Sequence, residues 1–240
     1  MLARRPFHKF TAEDDAVWAT LYQRQLPQVR EHMSQPWYLD GFDLLNMPAD
    51  RVPDFEAMNR IFQEKVNWEL FSTEEVFSNG QTWFEHLSQR QFLISEYIRD
   101  MNSLEYTPLP DIFHDAFGHL PLMTTQPYVD FVNEYAWMQL EFTPEQRKGL
   151  GSIWWYTIEF GLIEEDGRVK GFGAGLASSY GELKYCFEHP QMWKPFDPKA
   201  IAEIRPSPHH FHEVYFVLES FEQLVEFLQK QHAQHTTEVA

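Results

Sequence analysis

The sequence predicts a mostly α-helical chain with a few short β-strands, an α+β fold in a single domain. Three observations lead there. Helix-start signatures recur, each followed by apolar residues at spacings of three and four. Only the stretch from Phe160 to Lys170 gives a clear hairpin signal. No Gly/Ser linker, low-complexity run or internal repeat marks a seam in 240 residues, and a chain of that length buries most of its apolar surface without staples.

Thr11-Ala12-Glu13-Asp14 reads as the first helix start, with a hydroxyl cap and an acid three residues later. Trp18 and Tyr22, then Val17 and Leu21, follow at spacing four as one buried face, and Pro27 should kink or split this helix. Pro53-Asp54 opens a second helix striped by Phe55, Met58, Ile61 and Phe62. Thr82 to Gln91 begins as helix and passes into Phe92-Leu93-Ile94, a run that suits either a strand or a buried helix. Thr107-Pro108-Leu109-Pro110 is extended by its two prolines and leads into a histidine-bearing helix. Tyr128 to Leu140 reads as helical, and Pro144-Glu145-Gln146 opens another helix. Asp166-Gly167 suits a two-residue hairpin turn in which both residues take positive φ. Gly171-Phe172-Gly173-Ala174-Gly175 lacks the spacing of a nucleotide loop, so close backbone packing is its expected use. Ser220-Phe221-Glu222-Gln223 starts a last helix with Phe221, Leu224, Val225 and Leu228 on its apolar face. The domain is expected over residues 1–230, with the polar stretch 231–240 as a disordered tail.

A formal net charge of −17 would repel phosphate backbones and argues against a nucleic-acid partner. The start, Met1 to Pro6, is followed by no apolar run and so does not read as a secretory signal. No run of about 18 apolar residues offers a helical membrane span. A lone cysteine, Cys186, permits no internal disulfide and fits a reducing, cytoplasmic setting, where it serves as a small apolar core group. The 21 phenylalanines indicate an aromatic core and would also suit a pocket for a flat apolar ligand.

Chemistry concentrates in Pro110-Asp111-Ile112-Phe113-His114-Asp115-Ala116-Phe117-Gly118-His119-Leu120-Pro121. On a continuous α-helix, side chains five apart diverge by about 140°, too far to share an ion. The expected resolution is a helix break at or just before Gly118, which would let His119 swing back toward His114. Forty residues on, Glu159 stands alone between Ile158 and Phe160, where burial would be costly without a balancing cation. Two imidazoles and one carboxylate are the ligand set of an open non-haem iron site. The chain's 11 histidines offer many such triples, so capped or paired core residues stay open as the alternative. Pro208-His209-His210-Phe211-His212 forms a rival cluster with no evident carboxylate partner and is expected at the surface.

Three long stretches, Pro110 to Leu122, Trp155 to Leu162 and Gly173 to Leu183, resemble the pterin-dependent aromatic amino acid hydroxylases, the bacterial phenylalanine hydroxylases in particular. Weaker similarity runs from about Asp14 to Phe221. The resemblance implies a single catalytic domain of that type, iron(II) on His114, His119 and Glu159, and a tetrahydropterin as electron source. It matches Arg99 to the arginine that holds the amino acid's carboxylate, a task that suits a guanidinium fork. It matches Thr107, Trp155, Phe160 and Ser178 to the amino acid pocket, and Asp115 to an acidic residue near the pterin. Trp83 either stacks on the pterin or packs in the core. The family's regulatory domain and tetramerisation helix have no counterpart here, which implies a monomer.

One departure concerns the pterin loop. Bacterial members carry a Val-Pro-Gly-Leu-like loop where this chain has Phe71 to Gly80, acidic and without proline, so metal and amino acid sites carry over better than the pterin site. The implied reaction is O2-dependent ring hydroxylation of free L-phenylalanine to L-tyrosine. The alternatives are tryptophan, tyrosine or the meta position of phenylalanine as target, a zinc hydrolase on the same triad, and a non-catalytic sensor that keeps the pocket.

Overall fold

The computed structural model describes residues 2, 5–74, 80–105, 109–207 and 210–239. Helices α1 (Ala12–His32), α2 (Asp40–Leu45), α3 (Phe55–Val66) and α4 (Gly80–Ser88) alternate in the first half with strands β1 (Glu69–Thr73) and β2 (Gln91–Ser95). A short α5 (Leu120–Leu122), the long α6 (Gln126–Glu141) and α7 (Leu150–Trp154) precede the hairpin β3 (Leu162–Glu165) and β4 (Arg168–Gly171). Then come α8 (Ala174–Ser178), α9 (Tyr180–Glu188), β5 (Trp193–Pro195), α10 (Pro198–Ala202), β6 (Tyr215–Leu218) and α11 (Glu222–Val239). Three π-helical segments, Gln35–Leu39, His114–His119 and Trp155–Glu159, are set among them. The chain is mostly helical with a few short strands.

The caps expected at Thr11 and Asp54 form. Thr11 Oγ1 accepts from the Asp14 N–H at 3.3 Å while the Asp14 carboxylate accepts from the Thr11 N–H at 2.7 Å. Asp54 caps α3 one way, its carboxylate accepting from the Glu56 and Ala57 N–H groups. Helix α1 is not split at Pro27, because Trp18, Leu21, Tyr22, Gln25 and Val29 bury one continuous face on both sides of it. Phe92-Leu93-Ile94 is strand, paired in parallel with β1 from Glu69↔Gln91 to Thr73↔Ser95.

The larger sheet has the order β4-β3-β6-β5. Its hairpin turns at Asp166 and Gly167, with φ of 50° and 73°, the positive pair the turn chemistry calls for. Strand β6 joins β3 in parallel through Leu162↔Val217, some fifty residues later in the chain. The sequence expectation of helix from Pro144 is not met. Thr143 and Gln146 close a turn instead, and the left-handed Gly149 (φ 83°) delays the helix to Leu150. The stretch expected as a loose tail also differs: α11 runs on to Val239. His232 stacks on Trp137 with centroids 5.0 Å apart and His235 on Phe142 at 4.5 Å, which gives the polar end an aromatic seat on α6. Among the described residues, no helix is long and apolar enough to cross a membrane.

Candidate metal centre and aromatic slot

The two histidines reach one another by a route the sequence reading missed. The helix does not break at Gly118: residues 114 to 119 stay helical but widen into a π turn, in which the Leu120 N–H bonds the Asp115 carbonyl. A ring that closes at i+5 brings residues five apart to nearly the same face. The wider turn displaces the Phe117 carbonyl, and the buried Tyr38 hydroxyl donates to it at 2.6 Å. Phe113 and Phe117 stack at 4.6 Å and press the segment on Trp18 and Tyr22 of α1. Gly118 marks close contact rather than an end, because a Cβ there would lie 2.6 Å from the Ala174 carbonyl oxygen.

Glu159 is delivered by a second π turn, closed by the Phe160 N–H on the Trp155 carbonyl at 2.9 Å. The glycines after the hairpin let α8 close on it: a Cβ on Gly173 would lie 2.2 Å from the Glu159 carbonyl oxygen. This is the close packing expected of that glycine run.

The three side chains converge. His114 Nε2 and His119 Nε2 are 3.1 Å apart, and the Glu159 oxygens lie 3.6 Å and 3.3 Å from them. Ligands about 2.1 Å from a shared ion along perpendicular directions sit about 3 Å apart, so this spacing and this donor set fit a divalent metal. Among the described residues, no other group of His, Cys, Asp and Glu gathers its ligand atoms so closely.

Neighbours fix the ligand orientations. Ser178 Oγ donates to the Ala174 carbonyl at 2.9 Å, so at 2.9 Å it accepts from His114 Nδ1–H, which leaves Nε2 as the lone-pair donor. Trp154 Nε1 donates to Glu159 Oε1 at 2.9 Å. Burial, with help from His119, lowers His114 to about 4. Burial would raise Glu159, but the two imidazoles and Trp154 hold its carboxyl at about 2. Burial also opposes the His119 imidazolium, yet the Glu159 carboxylate outweighs it and raises that group. A cation bound here would displace the His119 proton and meet a carboxylate already ionised.

Around this centre lie most of the other expected residues. Buried Arg99 forks onto Asp111, with Nε–Oδ2 and Nη2–Oδ1 both 2.8 Å, and no hydrogen bond of Nη1 to a described residue is present. Trp155 and Phe160 are half-buried, with ring centroids 4.9 Å apart. Trp83 of α4 meets Phe92 edge-on at 5.3 Å, and Phe92 in turn meets the His119 ring at 5.4 Å. Buried Asp115 accepts from the Ser95 N–H at 2.8 Å and its hydroxyl at 2.7 Å, while burial pushes its carboxyl up to about 7 against those donors. Thr107 lies outside the described residues, as do residues 75–79 of the divergent loop and His209 of the rival cluster.

Two residues were missed or misplaced. Trp154 carried no sequence signal beyond its spacing of five from Glu159. His212, expected at the surface with its neighbours, is buried beside Trp155 and bonded to Glu182. Its place just ahead of the apolar strand Tyr215–Leu218 was the available hint.

Comparison with known proteins agrees with this geometry. Residues 4–238 match the sequence profile described as biopterin-dependent aromatic amino acid hydroxylase. Phenylalanine-4-hydroxylase of Chromobacterium violaceum is 34% identical over 227 residues, covering 92% of this chain and 74% of that protein. The Pseudomonas aeruginosa enzyme of the same name is 33% identical over 233 residues, covering 95% and 88%. The crystal structure of the Chromobacterium violaceum enzyme with bound iron(III) and 7,8-dihydrobiopterin superposes with a TM-score of 0.86 at 33% identity, covering 94% of this chain and 84% of that one.

Proposed function

The chain belongs to the biopterin-dependent aromatic amino acid hydroxylase family, and from that membership we propose that it hydroxylates free L-phenylalanine to L-tyrosine with iron(II), a tetrahydropterin and O2. The observation that carries the reading is the convergence of His114 Nε2, His119 Nε2 and Glu159 beside the half-buried rings of Trp155 and Phe160. Its relatives named phenylalanine-4-hydroxylase support the choice of substrate.

In this reading His114, His119 and Glu159 would hold the iron. Iron and tetrahydropterin supply electrons and dioxygen activation, which no side chain offers. Arg99, presented by Asp111, takes the amino acid's carboxylate. Trp155 and Phe160 wall the ring, and Ser178 holds His114 in the tautomer that leaves Nε2 free. Trp83 and Asp115 would help to hold the pterin, Asp115 as a buried carboxyl group that burial raises.

The test is incubation of the protein with ferrous iron, a tetrahydropterin and phenylalanine, tyrosine or tryptophan in turn, with products identified by mass and retention. Tyrosine formed from phenylalanine, with matching oxygen uptake, is expected. Zinc in the purified protein and no oxygen uptake with any substrate would overturn the reading in favour of hydrolysis.

A further inference from the structure

Behind the slot lies a buried chain of polar groups that none of the roles above uses. Glu182, near the start of α9, is buried, and its Oε1 accepts from three donors: the His212 N–H at 3.0 Å, His212 Nδ1 at 2.7 Å and the Tyr215 hydroxyl at 2.5 Å. His212 Nδ1 is therefore a donor, and its Nε2 accepts from Trp155 Nε1–H at 2.6 Å. The His212 ring also lies against Phe160, with centroids 4.3 Å apart. On its other side Phe160 is confined by α8, where a Cβ on Gly175 would come within 2.7 Å of its Cζ.

Trp155 and Phe160 are the first residue and the C-cap of the π turn that ends in Glu159. Both rest on one imidazole. We infer that His212 is a positioning residue for the aromatic slot: with Glu182 behind it, it sets the Trp155 and Phe160 rings that select and orient the amino acid. This rests on the hydroxylase reading above and extends it to a residue outside the triad.

The physical argument has two parts. A carboxylate that accepts the Nδ1 proton strengthens Nε2 as an acceptor, and three donors on one oxygen keep that carboxylate in place. An indole N–H deprived of its acceptor in partly buried surroundings turns to find another, and Trp155 cannot turn without moving the slot wall. His212 makes no hydrogen bond, ion pair or ring contact with His114, His119 or Glu159, so loss of its acceptor should act on the amino acid and spare the metal.

The experiment compares His212→Leu, His212→Gln and wild type as iron-loaded enzyme with tetrahydropterin. Leucine removes both hydrogen bonds. Glutamine can donate its amide to Glu182 and accept from the indole on its carbonyl oxygen. His212→Leu should raise the KM for the aromatic amino acid about tenfold, the cost of one orphaned donor, at unchanged iron content. It should also lower the fraction of oxidised pterin that yields hydroxylated product. His212→Gln should restore both toward wild type. A merely structural role would lower the unfolding midpoint and leave KM and that fraction alone. A second measurement does not depend on the leucine variant folding. With 15N-labelled tryptophan, the Trp155 indole proton, assigned through Trp155→Phe, should resonate downfield of the ordinary range in wild type and stay displaced in His212→Gln. Wild-type KM and product fraction in a folded His212→Leu, no rescue by glutamine, or an ordinary Trp155 indole shift would each overturn the inference. A wild-type protein that hydroxylates no aromatic amino acid would instead sink the hydroxylase reading, and the indole measurement would still decide whether the hydrogen bond exists.

Discussion

At the scale of single residues, Asp111 shows how the site is held before any ligand arrives. Its carboxylate accepts from the Arg99 fork, from the Arg99 N–H and from the His114 N–H, so one acid orients Arg99 and the first histidine together. Burial would raise its carboxyl, but the Arg99 hydrogen bonds and charge outweigh that and depress it. The sign follows from linkage. A depressed folded-state value means the stabilisation is complete above the ordinary carboxylate value near pH 4 and is lost as pH falls through the lower folded value. Asp111→Asn should therefore cost about 3–5 kcal/mol of unfolding free energy near neutrality, because it leaves a buried guanidinium without its partner. Urea unfolding of the metal-free protein from pH 7 down to pH 3 checks it, and the gap between wild type and variant should narrow on acidification. A gap that stays constant with pH would show that the ionised carboxylate is not what stabilises. The triad was legible because a lone acid in apolar sequence is costly to bury and the resemblance singled out these two histidines among 11; residue types alone left core pairing open. His212 was not, because its partner Glu182 is thirty residues away and nothing local marks them as neighbours.

At the scale of elements, the informative failure concerns Gly118. A spacing of five correctly excluded a plain α-helix, but the break expected in its place is not what forms: the turn widens instead. What decides is tertiary: Tyr38 takes the displaced Phe117 carbonyl, and α8 presses on Gly118, so a widened turn satisfies its backbone where a break would strand it. Gly118→Ala should cost about 1–3 kcal/mol, since the new methyl group meets a backbone carbonyl that cannot step aside. The same methyl would sit 3.2 Å from Ser178 Cβ, so the His114–Ser178 hydrogen bond should loosen and iron should be lost faster to a chelator. Chemical unfolding and chelator competition measure the two effects. Wild-type values in both would show that the α8 contact is slack. The Thr11 capping box, the Asp166-Gly167 turn and the glycine run were readable in advance because their causes are local. The continuity of α1 through Pro27 was not, because a buried face shared by both halves decides it.

At the scale of the whole molecule, the aromatic share of the sequence becomes a connected interior. Trp18, Phe113, Phe117, Tyr22 and Phe42 touch in series from α1 and α2 to the histidine turn. Trp83 and Phe92 continue that contact on the far side of His119. Composition forecast such a core without its order. The partner of β6 across the sheet could not be read either, since a parallel pairing with β3 spans some fifty residues and has no local signature. What the molecule achieves is to bring two widened helical turns, forty residues apart in the chain, face to face around one small volume. The most direct measurement of that claim is anaerobic titration of the metal-free protein with ferrous salt, followed by chelator competition, for wild type and His119→Ala. Wild type should hold a single ferrous ion per chain, while the variant folds normally and gives its iron up. A folded His119→Ala that keeps iron as tightly as wild type would contradict the account.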